Sequence, residues 1–218
     1  MAQIFHPSAN TISKATIVGG VLLLAGIGIL AAIFVRSPYM TEVGITVEQP
    51  VPFSHQRHVG GNGLDCRYCH TSVEDSSFAN IPPTQICMTC HSQIWSDSPQ
   101  LALVRESYQT GTPIPWVRVH KLADFVYFNH SIHVNKGVGC ETCHGRVDQM
   151  PLTIKTQTMQ MDWCLECHRA PQNYLRPREA VFTMGWVPPQ NQTDLGLKLI
   201  KEYNIPVKQL TDCYTCHR

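Results

Sequence analysis

The sequence predicts mostly irregular chain with short α-helices, preceded by one N-terminal transmembrane α-helix. Two observations support this fold class. Residues 16–35 form an uncharged run of twenty residues, long enough for a helix across a bilayer. The remaining chain is rich in Pro, Gly, Ser and Thr and shows no strong strand series, and all ten of its cysteines fall into five copies of one short motif, Cys-x-x-Cys-His.

The motif has a chemical reason for its spacing. Two thiols three positions apart reach the two vinyl groups of one haem and form thioether bonds, and the adjoining His then binds the iron as its proximal ligand. The pattern therefore predicts five covalently attached c-type haems, close enough together to exchange electrons. The five motifs, numbered first to fifth in chain order, are Cys66-Cys69-His70, Cys87-Cys90-His91, Cys140-Cys143-His144, Cys164-Cys167-His168 and Cys213-Cys216-His217.

Zinc and disulfides are the competing explanations for paired cysteines. Structural zinc sites combine pairs of Cys-x-x-Cys, whereas this chain has an odd number of pairs, and zinc does not require a His after each one. A disulfide framework does not explain the histidines either. Haem attachment accounts for both features.

Charge and composition exclude other classes. The formal net charge is +1 and no basic stripe occurs, so no nucleic-acid partner is expected. The domain after the apolar run is short of aliphatic residues, and we expect buried macrocycles to replace part of the core.

The apolar run lies between Lys14 and Arg36 and would span roughly 30 Å as a helix. We expect an uncleaved anchor rather than a cleaved signal peptide, because the run is longer than a usual signal core and its leader has no compact basic region. Small residues such as Gly19, Gly26 and Gly28 favour packing against other transmembrane helices. An isolated anchor is the alternative.

The predicted organisation has three parts. Residues 1–15 are cytoplasmic, residues 16–36 are the anchor, and residues 37–218 form a pentahaem domain. Flanking charges do not set the orientation, since Lys14 and Arg36 nearly balance. In bacteria, haem is attached to c-type cytochromes outside the cytoplasm. We therefore expect the haem domain on the periplasmic side of the cytoplasmic membrane.

An internal repeat organises the haem domain. Phe-x-His-x-x-His occurs at residues 53–58 and again at residues 128–133, and each copy is followed by two haem motifs. We infer two dihaem units, residues 53–91 (the first repeat) and residues 128–168 (the second repeat), with a fifth haem at residues 213–217. An internal duplication is the simplest explanation.

Distal ligands are predicted by counting histidines. The chain has eleven, of which five are proximal, and His6 lies on the other side of the predicted anchor. Five candidates remain for five irons, so the count predicts bis-His, low-spin haems with no open position. The two histidines of each Phe-x-His-x-x-His share one face of a helical turn and can reach two different haems. The candidates are His55, His58, His120, His130 and His133.

We assign His55 to the haem of Cys66 and His130 to the haem of Cys140, while His58 and His133 reach other haems. His120 has no counterpart in a repeat and is the least secure candidate for the fifth iron. Met184 and Met161 are its competitors, because a thioether ligand also occurs in c-type cytochromes and raises the haem potential. Packing of either Met against a porphyrin face is the simpler alternative.

Three further elements are predicted outside the motifs. A short helix opens at Ser98-Pro99 and runs towards Gln109 with Gly111 as its stop. A second begins with Thr193-Asp194 as its cap and ends near Tyr203. Residues 170–190 are predicted to be irregular, and residues 41–51 to be extended.

The repeat resembles the cytochrome c3/c7 superfamily, in which the first His serves the adjoining haem and the second a more distant one. The run from Trp116 to Arg169, which contains Val-His-Lys-Leu-Ala-Asp-Phe-Val-Tyr-Phe-Asn-His-Ser-Ile-His, is more specific. It is similar to membrane-anchored multihaem subunits, above all the pentahaem cytochrome c subunit of alternative complex III. This resemblance covers about residues 16–218.

The resemblance implies an electron-transfer subunit rather than a catalytic one. Such a subunit carries electrons from quinol-oxidising and iron–sulfur subunits of a respiratory or photosynthetic membrane complex to a mono-haem cytochrome or another soluble acceptor. Two alternatives remain. A stand-alone quinol dehydrogenase that feeds periplasmic reductases also has one helix and several haems, but Ser72 stands where such proteins often have Met. A catalytic multihaem reductase needs an open iron, which the supply of histidines disfavours.

Overall fold

The structure is a computed structural model that describes residues 4–217. It contains two compact units, divided between Val43 and Gly44. The described chain is helical and irregular, and the only β pairing in residues 4–217 consists of isolated antiparallel bridges. The predicted absence of strands is therefore confirmed. The bridges join Thr46 to Ile154, Val126 to His217 and Val138 to Leu175.

The N-terminal unit contains α1, Ala9–Arg36, and the short α2, Pro38–Thr41. Helix α1 is the one helix in residues 4–217 that is long and apolar enough to cross a membrane. It begins at Ala9, whereas the predicted span begins at residue 16. The helix can extend this far because no Pro or Gly interrupts residues 9–15. Helix α2 begins at Pro38 and is followed by Glu42 in the left-handed conformation (φ 59°). Thr41, the first residue of the range 41–51 that was predicted to be extended, is therefore helical.

The second unit is a series of short helices joined by irregular chain. Gln56–Gly61 is a π-helix, and 3₁₀ helices occur at Pro99–Leu101, Val147–Gln149, Pro171–Asn173, Arg178–Ala180 and Val207–Gln209. The α-helices are α3 Cys66–Cys69, α4 Thr84–His91, α5 Ala102–Thr110, α6 His130–Asn135, α7 Cys140–His144, α8 Met161–Arg169, α9 Gln192–Glu202 and α10 Cys213–Cys216.

Sequence signals place two of these helices well. Helix α5 ends at Gly111, which takes φ 72°, a conformation that Gly adopts without strain. Helix α9 has Asn191 rather than Thr193 as its N-cap, and its Asp194 lies within the first turn. Residues 170–190 are irregular apart from two single-turn 3₁₀ helices, close to the prediction.

The hydrophobic core of the second unit is small. Among the described residues ten hydrophobic side chains are buried, in separate groups, and only Leu175 and Val181 lose essentially all solvent contact. Aromatic side chains beside the motifs are exposed instead, including Tyr68, Phe125 and Tyr214. An apolar surface of this kind is typical of a binding surface, here one that bound macrocycles would cover.

Candidate haem-binding sites

Each haem motif forms its own short helix. The first, third and fifth motifs occupy α3, α7 and α10, and the second and fourth lie at the C-terminal ends of α4 and α8. One helical turn places both thiols of a motif on the same side, next to the following His. The side chain of Asp65 caps α3 by accepting a hydrogen bond from the Arg67 backbone N–H at 2.8 Å.

Three pairs of histidines have the separation that one shared metal ion requires. A metal-bound imidazole nitrogen lies about 2 Å from the metal, so ring centres on opposite sides of one ion are roughly 6 Å apart. The ring centroids of His58 and His91 lie 6.1 Å apart, those of His133 and His168 6.2 Å, and those of His130 and His144 6.4 Å. These residues therefore fit bis-His iron.

His55 lies beside His70 of the first motif. Burial lowers the pKa of His55 to about 4, with smaller contributions from the neighbouring His70 and His58. Burial likewise lowers the pKa of His144 to about 3. Both rings are therefore neutral at ordinary pH, which is the form that binds a metal.

The two Phe-x-His-x-x-His elements have the same geometry. Phe53 stacks on His58 with ring centroids 4.4 Å apart and meets His55 edge-on at 4.9 Å. Phe128 repeats this arrangement, 4.5 Å from His133 and 4.7 Å from His130. This role of Phe was not predicted from the sequence, although the presence of Phe in both copies of the repeat was a signal for it. Each Phe fixes the orientation of two histidines at once.

The two repeats also bind each other through equivalent residues. The N–H of Gln56 donates to the carbonyl of Met150 at 3.0 Å, and the N–H of Ser131 donates to the carbonyl of Ser76 at 3.1 Å. Gln56 and Ser131 each follow the first His of their element, and Ser76 and Met150 each lie six positions after a motif His. The contact is the same in both directions, as in a two-fold arrangement.

Cys66 and Cys140, the first cysteines of the first and third motifs, meet within this contact. Their thiols lie close enough to shift each other's pKa, which is lowered for Cys66 and raised for Cys140. The first and third motifs are therefore direct neighbours, although 74 positions separate Cys66 from Cys140 (140 − 66).

Other contacts link the remaining motifs in a series. The hydroxyl of Tyr68 in the first motif lies 2.9 Å from that of Thr89 in the second. His130 and His133 on α6 face the third and fourth motifs. Nδ1 of His168 in the fourth motif lies 2.8 Å from the carbonyl oxygen of Leu210, just before the fifth. The spatial order is second, first, third, fourth, fifth.

The third motif has a further buried partner that the sequence did not indicate. Arg176 is 5% exposed and donates to the carboxylate of Glu141 at 2.9 Å. The backbone N–H of Gly185 also donates to that carboxylate, at 2.7 Å, and the Arg176 guanidinium lies over the ring of Trp186. These contacts hold α7 against the segment that carries Met184.

The structure places the other candidate ligands as follows. His120 lies in a bend against His144 of the third motif, with ring centroids 4.4 Å apart. Met161 begins α8 and is exposed, while Met184 lies half-buried in a turn. His6 precedes α1 in the N-terminal unit.

Comparisons with known proteins agree with this geometry. Residues 126–218 match the family model described as cytochrome c7 and related cytochrome c. The chain is also 34% identical over 149 residues to the multihaem cytochrome c subunit of menaquinone reductase from Nitratidesulfovibrio vulgaris (strain Hildenborough). That alignment covers 59% of this chain and 70% of the relative. With its repeated haem motifs and facing histidines, the chain belongs to the family of multihaem c-type cytochromes related to cytochrome c7 and carries covalently bound haem.

Proposed function

We propose that this chain is a membrane-anchored pentahaem cytochrome that relays electrons within a quinone-linked respiratory or photosynthetic complex similar to alternative complex III. Helix α1 anchors it in the bacterial cytoplasmic membrane, and residues 37–218 carry five haems on the periplasmic side. Quinol-oxidising and iron–sulfur subunits exchange electrons with one end of the haem series. A mono-haem cytochrome or another soluble protein exchanges electrons with the other end.

The observation that carries this proposal is the series of contacts that connects all five motifs, directly or through α6 and Leu210. The first motif touches the second and the third directly, and α6 and Leu210 connect the later motifs, so haems held by these motifs would be neighbours in space. The haems would follow the order second, first, third, fourth, fifth. Either the second or the fifth motif is then the point at which electrons enter.

The chain's own residues would supply the iron ligands and orient them. Bound haem iron takes up and releases one electron at a time. His58, His130 and His133 lie opposite proximal histidines and would hold those irons six-coordinate. Such irons are closed to substrate, which supports electron transfer rather than catalysis at these positions.

The named relative favours a second candidate direction of flow. That relative is a subunit of a menaquinone reductase, an enzyme whose name implies that electrons go towards the quinone. The same haem series in this chain would serve a quinone-reducing complex equally well, with the soluble cytochrome as donor.

Purification from native membranes tests the proposal. We expect the chain to co-purify with iron–sulfur and multi-span membrane subunits. Stopped-flow mixing of the complex with quinol, or with a reduced mono-haem cytochrome, shows which donor reduces the haems and therefore which direction operates. If the purified chain alone oxidises quinol at the rate of the membranes, it is a stand-alone quinol dehydrogenase instead.

A further inference from the structure

The histidines of the second unit differ in which ring nitrogen is already bonded. Nδ1 of all five proximal histidines has a hydrogen-bond partner. In four of them the partner is a backbone carbonyl. The pairs are His70 with Asn80, His91 with Ile94, His168 with Leu210 and His217 with Phe125. A proximal His normally donates this N–H, which fixes its tautomer and leaves Nε2 for the iron.

Four of the predicted distal histidines follow the same rule. Nδ1 of His58 and Nδ1 of His133 each bond the backbone carbonyl four residues earlier, at 2.8 and 2.7 Å. Nδ1 of His55 contacts the Thr153 hydroxyl at 3.0 Å, and Nδ1 of His130 contacts the Ser77 carbonyl at 3.0 Å. All four therefore keep Nε2 available for a metal.

His120 is arranged in the opposite way. Its Nε2 lies 3.3 Å from Nδ1 of His144, where the other proximal histidines have a carbonyl oxygen. The two ring centroids are 4.4 Å apart, too close for an iron between them, since that arrangement requires roughly 6 Å. His144 has a different partner, His130, at the separation that iron requires.

We propose that His120 is a positioning residue, the hydrogen-bond acceptor for the proximal ligand His144, and not the distal ligand of the fifth haem. This inference rests on the proposed haem loading. An unprotonated imidazole nitrogen is a stronger base than a backbone carbonyl, so it draws the Nδ1 proton further from His144 and makes that ring a stronger electron donor to iron. A haem held at Cys140 would then have its ferric state stabilised and its potential lowered relative to a site whose His bonds a carbonyl.

The fifth haem then has no distal His from residues 44–217. His55, His58, His130 and His133 lie at the first four motifs, and His120 is bonded to His144. Phe125 lies beside His217, with ring centroids 5.7 Å apart, and its carbonyl accepts the Nδ1 proton. We infer that no His of residues 44–217 is the sixth ligand of the haem of Cys213.

The test uses the full-length holoprotein with His120→Phe and His120→Gln. The Phe variant removes the acceptor and the Gln variant keeps one in its side-chain oxygen. Electron paramagnetic resonance counts low-spin haems, and a spectroscopic redox titration gives their potentials. We expect the wild-type number of low-spin haems in both variants, a raised potential of one haem in His120→Phe, and a return towards the wild-type value in His120→Gln.

Two results overturn the proposal. Loss of one low-spin haem in His120→Gln would make His120 an iron ligand, and unchanged potentials in His120→Phe would remove its role at His144. If His120→Phe does not load haem, the low-spin count of His120→Gln decides the question. Intact mass separates these outcomes from a failure of the proposed function, because fewer than five haems in the wild-type chain would contradict the function itself.

Discussion

Nδ1 of His130 in the second repeat lies 3.0 Å from the carbonyl oxygen of Ser77 in the first repeat. The reverse contact joins Nδ1 of His55 in the first repeat to the hydroxyl of Thr153 in the second, also at 3.0 Å. Each repeat therefore orients the first distal His of the other. Neither repeat completes its own first haem site, which explains why the duplicated units form one compact body.

Replacing Thr153 by Val should loosen the ligation of one haem. The Val side chain has a similar shape but no hydroxyl, so His55 loses the partner of its Nδ1 at a cost of about 1 kcal/mol. We expect a partial high-spin signal from one haem, measured by resonance Raman spectroscopy. Thr153→Ser keeps the hydroxyl and should resemble the wild type. An equal high-spin signal in both variants would show that this hydrogen bond does not orient His55.

Gly60→Ala should weaken the contact between the repeats. An added Cβ would overlap the carbonyl oxygen of Asp148, a backbone atom that cannot move alone. Overpacking of this kind costs about 1–3 kcal/mol, and we expect the melting temperature of the holoprotein to fall by several degrees. Gly61→Ala is the control, because its Cβ would stand 3.7 Å from the nearest atom, the carbonyl oxygen of Gln56. Equal melting temperatures for the two variants would contradict this reading of the contact.

His58→Ala and His133→Ala should have equivalent effects, because the two residues occupy the same place in the two repeats. Each substitution leaves one iron without the ring that faces its proximal His, so about one haem in five should become high-spin. Electron paramagnetic resonance of the oxidised protein measures this. His6→Ala, in the N-terminal unit, is the control. A full complement of low-spin haems in His58→Ala would mean that the 6.1 Å pair with His91 does not share an iron.

The intact mass of the mature chain should exceed the 24.5 kDa polypeptide by five haem masses. Each motif supplies two thiols to one haem, so Cys213→Ala combined with Cys216→Ala should remove one haem mass and leave four. Four or fewer haems in the wild type, together with free thiols, would show that at least one motif is not used.

Gly28→Leu should weaken assembly with other membrane subunits without changing haem content. Within the described residues, no atom outside the helix lies within 4 Å of a Cβ placed at Gly28, so the space beside this glycine is open. In lipid, however, small residues allow helices to approach closely. Co-purification with partner subunits should fall for Gly28→Leu and remain for Gly28→Ala. Unchanged recovery of partners with the Leu variant would favour an isolated anchor.

The sequence alone determined the chemistry of this protein and much of its local structure. Cys-x-x-Cys-His is short and contiguous, so one helical turn is enough to bring its thiols and His together, whatever the rest of the chain does. The same holds for α1, whose apolar length is a local property, and for α5 with its stop at Gly111. The repetition of Phe-x-His-x-x-His also showed that two segments would have equivalent geometry.

Only the tertiary structure decided which motifs are neighbours and which groups bond the histidines. The thiol of Cys66 lies beside that of Cys140, and Nδ1 of His130 lies beside the backbone carbonyl of Ser77. Contacts to backbone carbonyls cannot be read from the sequence, because every residue has one. Counting histidines made His120 a distal candidate, although the least secure one, because a count does not show which ring nitrogen faces an iron. Its Nε2 lies against His144, a contact that depends on how a bend at residue 120 packs on a motif 24 positions away.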